Sequence, residues 1–124
     1  MGTGSDAGLP PQAAPHGRSR PVILAVGLVT PVPSLPEGLA QAVIVHTGWG
    51  VLSAALLARV LPDAVLAPLL GVGFDIIDLA EWLDGRGFGG TLLVAAGPLP
   101  DRGLVQREIA ASCPCIPQVL LIGV

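Results

Sequence analysis

The chain has 124 residues, of which 52% are hydrophobic and 12% charged, with a net charge of −3 and no lysine among its six basic residues. That length supports one domain with a substantial core. The arginines form no basic cluster on any expected element, which excludes nucleic-acid binding by phosphate neutralisation. With two Trp, two Phe and no Tyr, the chain has too few aromatics for a base-stacking platform.

Residues 1–20 are mostly Gly, Pro, Ala and Ser with scattered charge, and the expectation is a disordered N-terminal tail ahead of a single domain at 21–124. PVILAVG (21–27) is a short apolar run rich in β-branched residues, the pattern of a buried strand. The connection that follows carries Pro31, Pro33 and Pro36 and cannot be one long helix. AVIVHT (42–47) reads as a second strand, followed by a helix over 49–61. Pro62 and Asp63 turn the chain into a third strand at 64–69. The loop LGVG leads to a helix over 74–84 stopped by Gly85. On that helix Ile76, Leu79, Ala80 and Leu83 share one face, while Asp75, Asp78, Glu81 and Trp82 fall on the other. TLLVAA (91–96) is the fourth strand. A helix over 102–112 follows, with Asp101 as its N-cap, and PQVLLIGV closes the chain as a fifth strand.

Between Glu37 and Arg59 no residue carries a formal charge, a run close to the ~20 residues of a membrane helix. Thr47, Gly48 and Gly50 interrupt its middle, and strand-turn-helix accounts for the pattern better than a continuous span. A signal peptide is rejected because the apolar run after Arg20 is short and a long proline-rich segment follows it. The expectation is a cytoplasmic chain with no membrane span. Cys113 and Cys115 flank Pro114, too few cysteines for a disulfide framework; an extended Cys-Pro-Cys would point its thiols to opposite sides, and free thiols are expected.

Strand and helix alternate three times after residue 42, the pattern of an α/β fold with a parallel sheet and right-handed crossovers. The stretch PDAVLAPLLGVGFDIIDLAEWL (62–83) resembles the third strand, active-site loop and third helix of the receiver domain of bacterial response regulators. Pro62, Asp63, Val65, Leu66 and Asp75 stand where that family commonly has the same residues. The resemblance implies a flavodoxin-like, five-stranded parallel sheet in the order 2-1-3-4-5, with the first and last helices missing or replaced by loop. It also implies where phosphoryl chemistry would sit: an acidic pair after strand one to hold Mg²⁺, an acceptor aspartate after strand three, a Thr or Ser after strand four and a lysine after strand five. The matching positions here are Gly27 and Leu28, Pro68, and Ala96, and the chain has no lysine at all. The resemblance therefore implies a pseudo-receiver, with no catalysis, no cofactor and no metal.

A sheet short of its first and last helices loses the cover of one face, yet VILAV, TLLVAA and VLLIG carry apolar residues on both faces. A bare face of that size favours burial, so the expectation is a homodimer or a regulatory protein partner packed there. The alternative is that the proline-rich connection and the tail fold over it. Candidate contact residues are Trp82, Asp78, Ile23, Leu93 and Leu121. The function expected is a phosphorylation-independent interaction module in signal transduction. The alternative is a small-ligand (anion or nucleotide) sensor, or a minor enzyme, using the glycine loops at the strand ends: Thr47, Gly48 and Gly50, then Gly71 and Gly73, then Gly97. GWG and GVG lack dinucleotide or P-loop spacing and have no lysine, and tight turns account for them better. His46 has no Ser, Cys or acid placed beside it by sequence and reads as structural.

Overall fold

The five apolar runs form one all-parallel sheet. In the computed structural model, which describes residues 20–28 and 34–123, its strands are β1 (Val22–Val26), β2 (Val43–Thr47), β3 (Ala64–Pro68), β6 (Thr91–Ala96) and β7 (Gln118–Gly123). They lie in the order β2-β1-β3-β6-β7, so counted along the chain the second strand takes one edge and the fifth the other. A two-stranded ribbon, β4 (Leu70–Gly71) with β5 (Phe74–Asp75), stands at the end of β3 where the sequence suggests an open loop. Its turn is Val72–Gly73, with Gly73 at φ 82°, a left-handed conformation that suits glycine. Residues 1–19, including nearly all of the expected tail, lie outside the described residues, as do Pro31 and Pro33.

Three helices join the later strands. The expected helix at 49–61 is two pieces, a 3-10 turn at Trp49–Val51 and α1 at Ala54–Val60. They are separated because Leu52 and Ser53 are extended and Ser53 starts a new helix, its hydroxyl accepting the Leu56 N–H at 3.1 Å. Leu61, in the left-handed region at φ 49°, closes α1 ahead of Pro62. α2 (Ile76–Gly85) begins after Asp75 because Asp75 is its N-cap, in a reciprocal capping box with Asp78. α3 (Arg102–Ala111) is capped by Asp101, which accepts the Leu104 N–H at 3.0 Å.

Chain direction then assigns the two faces. From β2 onward every connection steps the same way across the sheet, so right-handed crossovers put α1, α2 and α3 on one face. Leu24, Val26, Val65, Ala67, Leu92, Val94 and Val119 point into that layer and meet Ile76, Leu79, Ala80 and Leu83 of α2 and Ile109 of α3. The β1–β2 connection steps the other way. In its described part it holds a 3-10 turn at Glu37–Leu39 and no longer helix.

The second face is not bare. Ile23, Ala64, Leu66 and Leu93 are wholly buried, with Ala95 and Ile122 nearly so, and Leu28, Leu35 and Leu39 of the β1–β2 connection pack against them. The expected large exposed patch on this face is therefore corrected. The described part of the connection lays Leu28, Leu35 and Leu39 across the sheet, because cover needs apolar side chains rather than a regular helix.

Candidate functional site

In open parallel sheets ligands collect beyond the carboxyl ends of the strands, at the point where the strand order reverses. Here that point lies between β1 and β3. Gly27 follows β1, Pro68 ends β3 and Ala96 ends β6, so three of the four positions singled out by the resemblance come to the ends of neighbouring strands, with Leu28 next to Gly27. Gly27 sits at φ 65° and its N–H donates to the Thr47 carbonyl at 2.8 Å. None of the four side chains is a proton donor, a charge or a metal ligand.

The crevice is filled by an aromatic pair. The buried Phe74 ring lies against both Gly27 and Gly71: a Cβ added at Gly27 would fall 2.7 Å from Phe74 Cε1, and one at Gly71 would overlap the same ring. Trp49 stacks on Phe74 with ring centroids 5.0 Å apart and planes within 13°. The two glycines give the ring room, the ring takes the space of a ligand, and the β4–β5 turn places it there. Gly71 and Gly73 thus serve a tight hairpin and the packing of Phe74. Gly48 and Gly50 flank or lie within a three-residue 3-10 turn at Trp49–Val51. Beside this plug the ribbon carries two of the most exposed large apolar side chains among the described residues, Leu70 at 77% and Val72 at 85%. Leu70 also borders a small groove shared with Ile77, Val105 and Glu108.

A larger groove, about 640 Å³, opens at the opposite end of the sheet. It is bounded by Leu57, Ala58 and Leu61 of α1 and its cap, by Asp63, and by the turn Arg86–Gly90 with Phe88. Asp63 has a structural task at its rim. Its N–H donates to the Val22 carbonyl at 2.8 Å, its carboxylate accepts the Val22 N–H at 2.7 Å, and its carbonyl accepts the Thr91 N–H at 3.2 Å. One residue thus pins the starts of β1, β3 and β6. Gly90 is required beside it, because a Cβ there would overlap the Asp63 carbonyl.

The five contact candidates do not converge on one surface. Ile23 and Leu93 are wholly buried under the second face's leucines, whereas Leu121 is half-buried in the helix-bearing layer. Asp78 is exposed, but its carboxylate accepts the Asp75 N–H at 3.0 Å in the capping box. Trp82 is half-buried against the core, and Arg86 lies over its ring with the guanidinium carbon 4.0 Å from the centroid. The same arginine donates to the Trp82 carbonyl at 3.2 Å. Trp82 is therefore a packed residue roofed by a cation, not a free indole among acids.

Cys113–Ile116 is a turn rather than an extended run, with the Ile116 N–H donating to the Cys113 carbonyl at 3.0 Å. It still sends one thiol inward and one outward: Cys113 is buried and Cys115 exposed, both free. Burial first, and the Asp84 carboxylate second, push the Cys113 thiol above its ordinary range. Asp84 also accepts the Cys115 N–H at 2.7 Å, tying the end of α2 to the turn before β7. Among the described residues no three or more His, Cys, Asp or Glu side chains are grouped to hold a metal, and no helix is long and apolar enough to cross a membrane. No family model, curated protein or solved structure matches the chain.

Proposed function

We propose that the chain is a degenerate receiver-type domain, a pseudo-receiver, that works as a phosphorylation-independent protein-interaction module in regulation. The observation that carries the reading is the carboxyl end of the sheet, where Gly27, Leu28, Pro68 and Ala96 bring no carboxylate or hydroxyl to the ends of β1, β3 and β6, and Phe74 stacked on Trp49 fills the crevice. The strand order second-first-third-fourth-fifth supports the kinship. The exposed Leu70 and Val72 on the ribbon support a contact role, since apolar tips held on a rigid scaffold suit recognition better than solvation.

The test is to treat the full chain with a small-molecule phosphoryl donor and Mg²⁺, and separately with beryllofluoride. Unchanged intact mass and unchanged amide spectra are expected. A phosphorylated species, or beryllofluoride shifts clustered at the amides of residues 27, 67, 69 and 96, would overturn the reading.

A second reading, small-ligand binding, is favoured by one observation, the groove of about 640 Å³ at the amino ends of β3 and β6, whose volume lies in the range of ligand sites. On that reading Arg86 and Asp63 at its rim, not the glycine loops, would orient a ligand. Thermal stabilisation by a nucleotide or anion panel that is lost in Ala58→Trp, which sets an indole on the exposed wall of the groove, would favour it over the interaction module.

A further inference from the structure

The two edges of the main sheet are finished differently. At β7 the outward carbonyls are taken up by α3. Gln106 Nε2 donates to the Val119 carbonyl at 2.8 Å, and the Arg102 guanidinium donates to the Leu121 carbonyl at 3.1 Å. These side chains stand four residues apart on one helix face. Together they close that edge to another strand, one of the ways proteins prevent edge pairing.

Among the described residues the β2 edge has no such cover. Val43 donates its N–H to the Pro21 carbonyl, and the Thr47 carbonyl accepts the Gly27 N–H, both at 2.8 Å. With the register Ile23 to Ile44, residues 43, 45 and 47 bond inward to β1, and the alternation of a parallel ladder turns both backbone polar groups of Ile44 and His46 outward. Among the described residues nothing meets those groups. The strand VIVHT carries no lysine, proline or charged side chain to protect it, and Val43 and His46 are exposed.

We propose that β2 is a self-pairing interface: two copies of this chain join antiparallel about a twofold axis at Val45, merging two five-stranded sheets into one of ten strands. The inference deepens the interaction-module reading and rests on it. The strand is self-complementary about Val45. With Val45 opposite Val45 of the second copy, Ile44 faces His46 of that copy, and such a pair exchanges two N–H···O bonds. Both Ile44–His46 pairs together satisfy every outward group with four bonds.

Register follows from the same count. A slip of one residue sets outward groups against inward ones, and a slip of two leaves half of them unmet. Side chains agree with it. Val45 meets Val45 and Val43 meets Thr47 on the helix-bearing face, Ile44 meets His46 on the other, and no like charges are opposed. A foreign extended peptide could meet the backbone groups, but the mirror placement of Ile44 and His46 about Val45 fits a second copy.

The experiment is light scattering on the full chain over a concentration series, repeated with His46→Pro and with Val45→Cys in a Cys115→Ser background. Proline at 46 removes one outward N–H and leaves the β1 ladder intact, the one setting in which a strand tolerates it. The expected results are a dimeric parent and a His46→Pro monomer with an unchanged far-UV spectrum. Val45→Cys should oxidise to a covalent dimer, because a non-hydrogen-bonded antiparallel pair sets its Cα atoms ~4.5 Å apart, within disulfide reach. Val43→Cys in the same background should not.

A parent that stays monomeric throughout the series overturns the proposal, as does a dimer that persists in folded His46→Pro. If His46→Pro fails to fold, failure of Val45→Cys to cross-link overturns it. A monomeric chain that is inert to the phosphoryl donor loses this interface and keeps the pseudo-receiver reading; a chain that is phosphorylated loses that reading instead.

Discussion

Phe74 sits where two glycines, a hairpin turn and Trp49 converge, and its removal empties the crevice they enclose. Phe74→Ala is expected to cost about 3–5 kcal/mol by urea unfolding, the range for a buried phenyl replaced by a cavity. Gly27→Ala, which combines a positive φ with a collision against the same ring, is expected to cost more than about 1 kcal/mol. The cysteines divide by burial. Cys115 should react at once with a thiol reagent while Cys113 reacts only on unfolding. Because burial raises the folded Cys113 thiol above its unfolded value, the fold binds that proton more tightly. Its contribution is complete below the ordinary thiol range and is lost as pH climbs through that range toward the folded value. Urea midpoints measured across alkaline pH should fall accordingly, and should fall less steeply in Cys113→Ala. At this scale the sequence was a partial guide. It marked Asp101 as a cap and Gly71 and Gly73 as turn residues. The partner of Phe74 is 25 positions away at Trp49, and the three-strand clamp of Asp63 depends on which strands become neighbours.

Helices here are set by their starts. Ser53, Asp75 and Asp101 each accept a backbone N–H three residues on, and α2 adds the return bond from Asp78. Asp75→Ala is expected to lower stability by about 1 kcal/mol. The double variant Asp75→Ala with Asp78→Ala should cost less than the two separate losses combined, because each carboxylate serves the other's backbone; a double-mutant cycle by urea unfolding checks this. The apolar face of α2 was legible because Ile76, Leu79, Ala80 and Leu83 recur at helical spacing, and all four are buried. The break between the 3-10 turn and α1 was less legible, since WGVLSAALLARV carries no polar side chain before Arg59 except Ser53, which alone marks the restart.

For the whole molecule, the two sheet faces solve the same burial problem by different means. One takes three helices; the other takes leucines from a connection whose described part holds a short 3-10 turn. Leu39→Asp should therefore loosen the second face, seen as increased binding of a hydrophobic dye and faster amide exchange in β1 and β6, with the helix-bearing face keeping its protection. If that variant bound no more dye than the parent, Leu39 would not be part of the cover. The sequence by itself determined the five strands, the three helical segments and the absence of any lysine. These are legible because apolar periodicity, caps and residue identity are local properties. Tertiary structure alone decided that Phe74 and Trp49 plug the crevice, that Leu35 and Leu39 pack on the cluster of Ile23 and Leu93, and that α3 side chains bond to the β7 edge. The reason is physical: close packing and edge hydrogen bonding join residues far apart in the chain, and only the order and handedness of the strands bring them together.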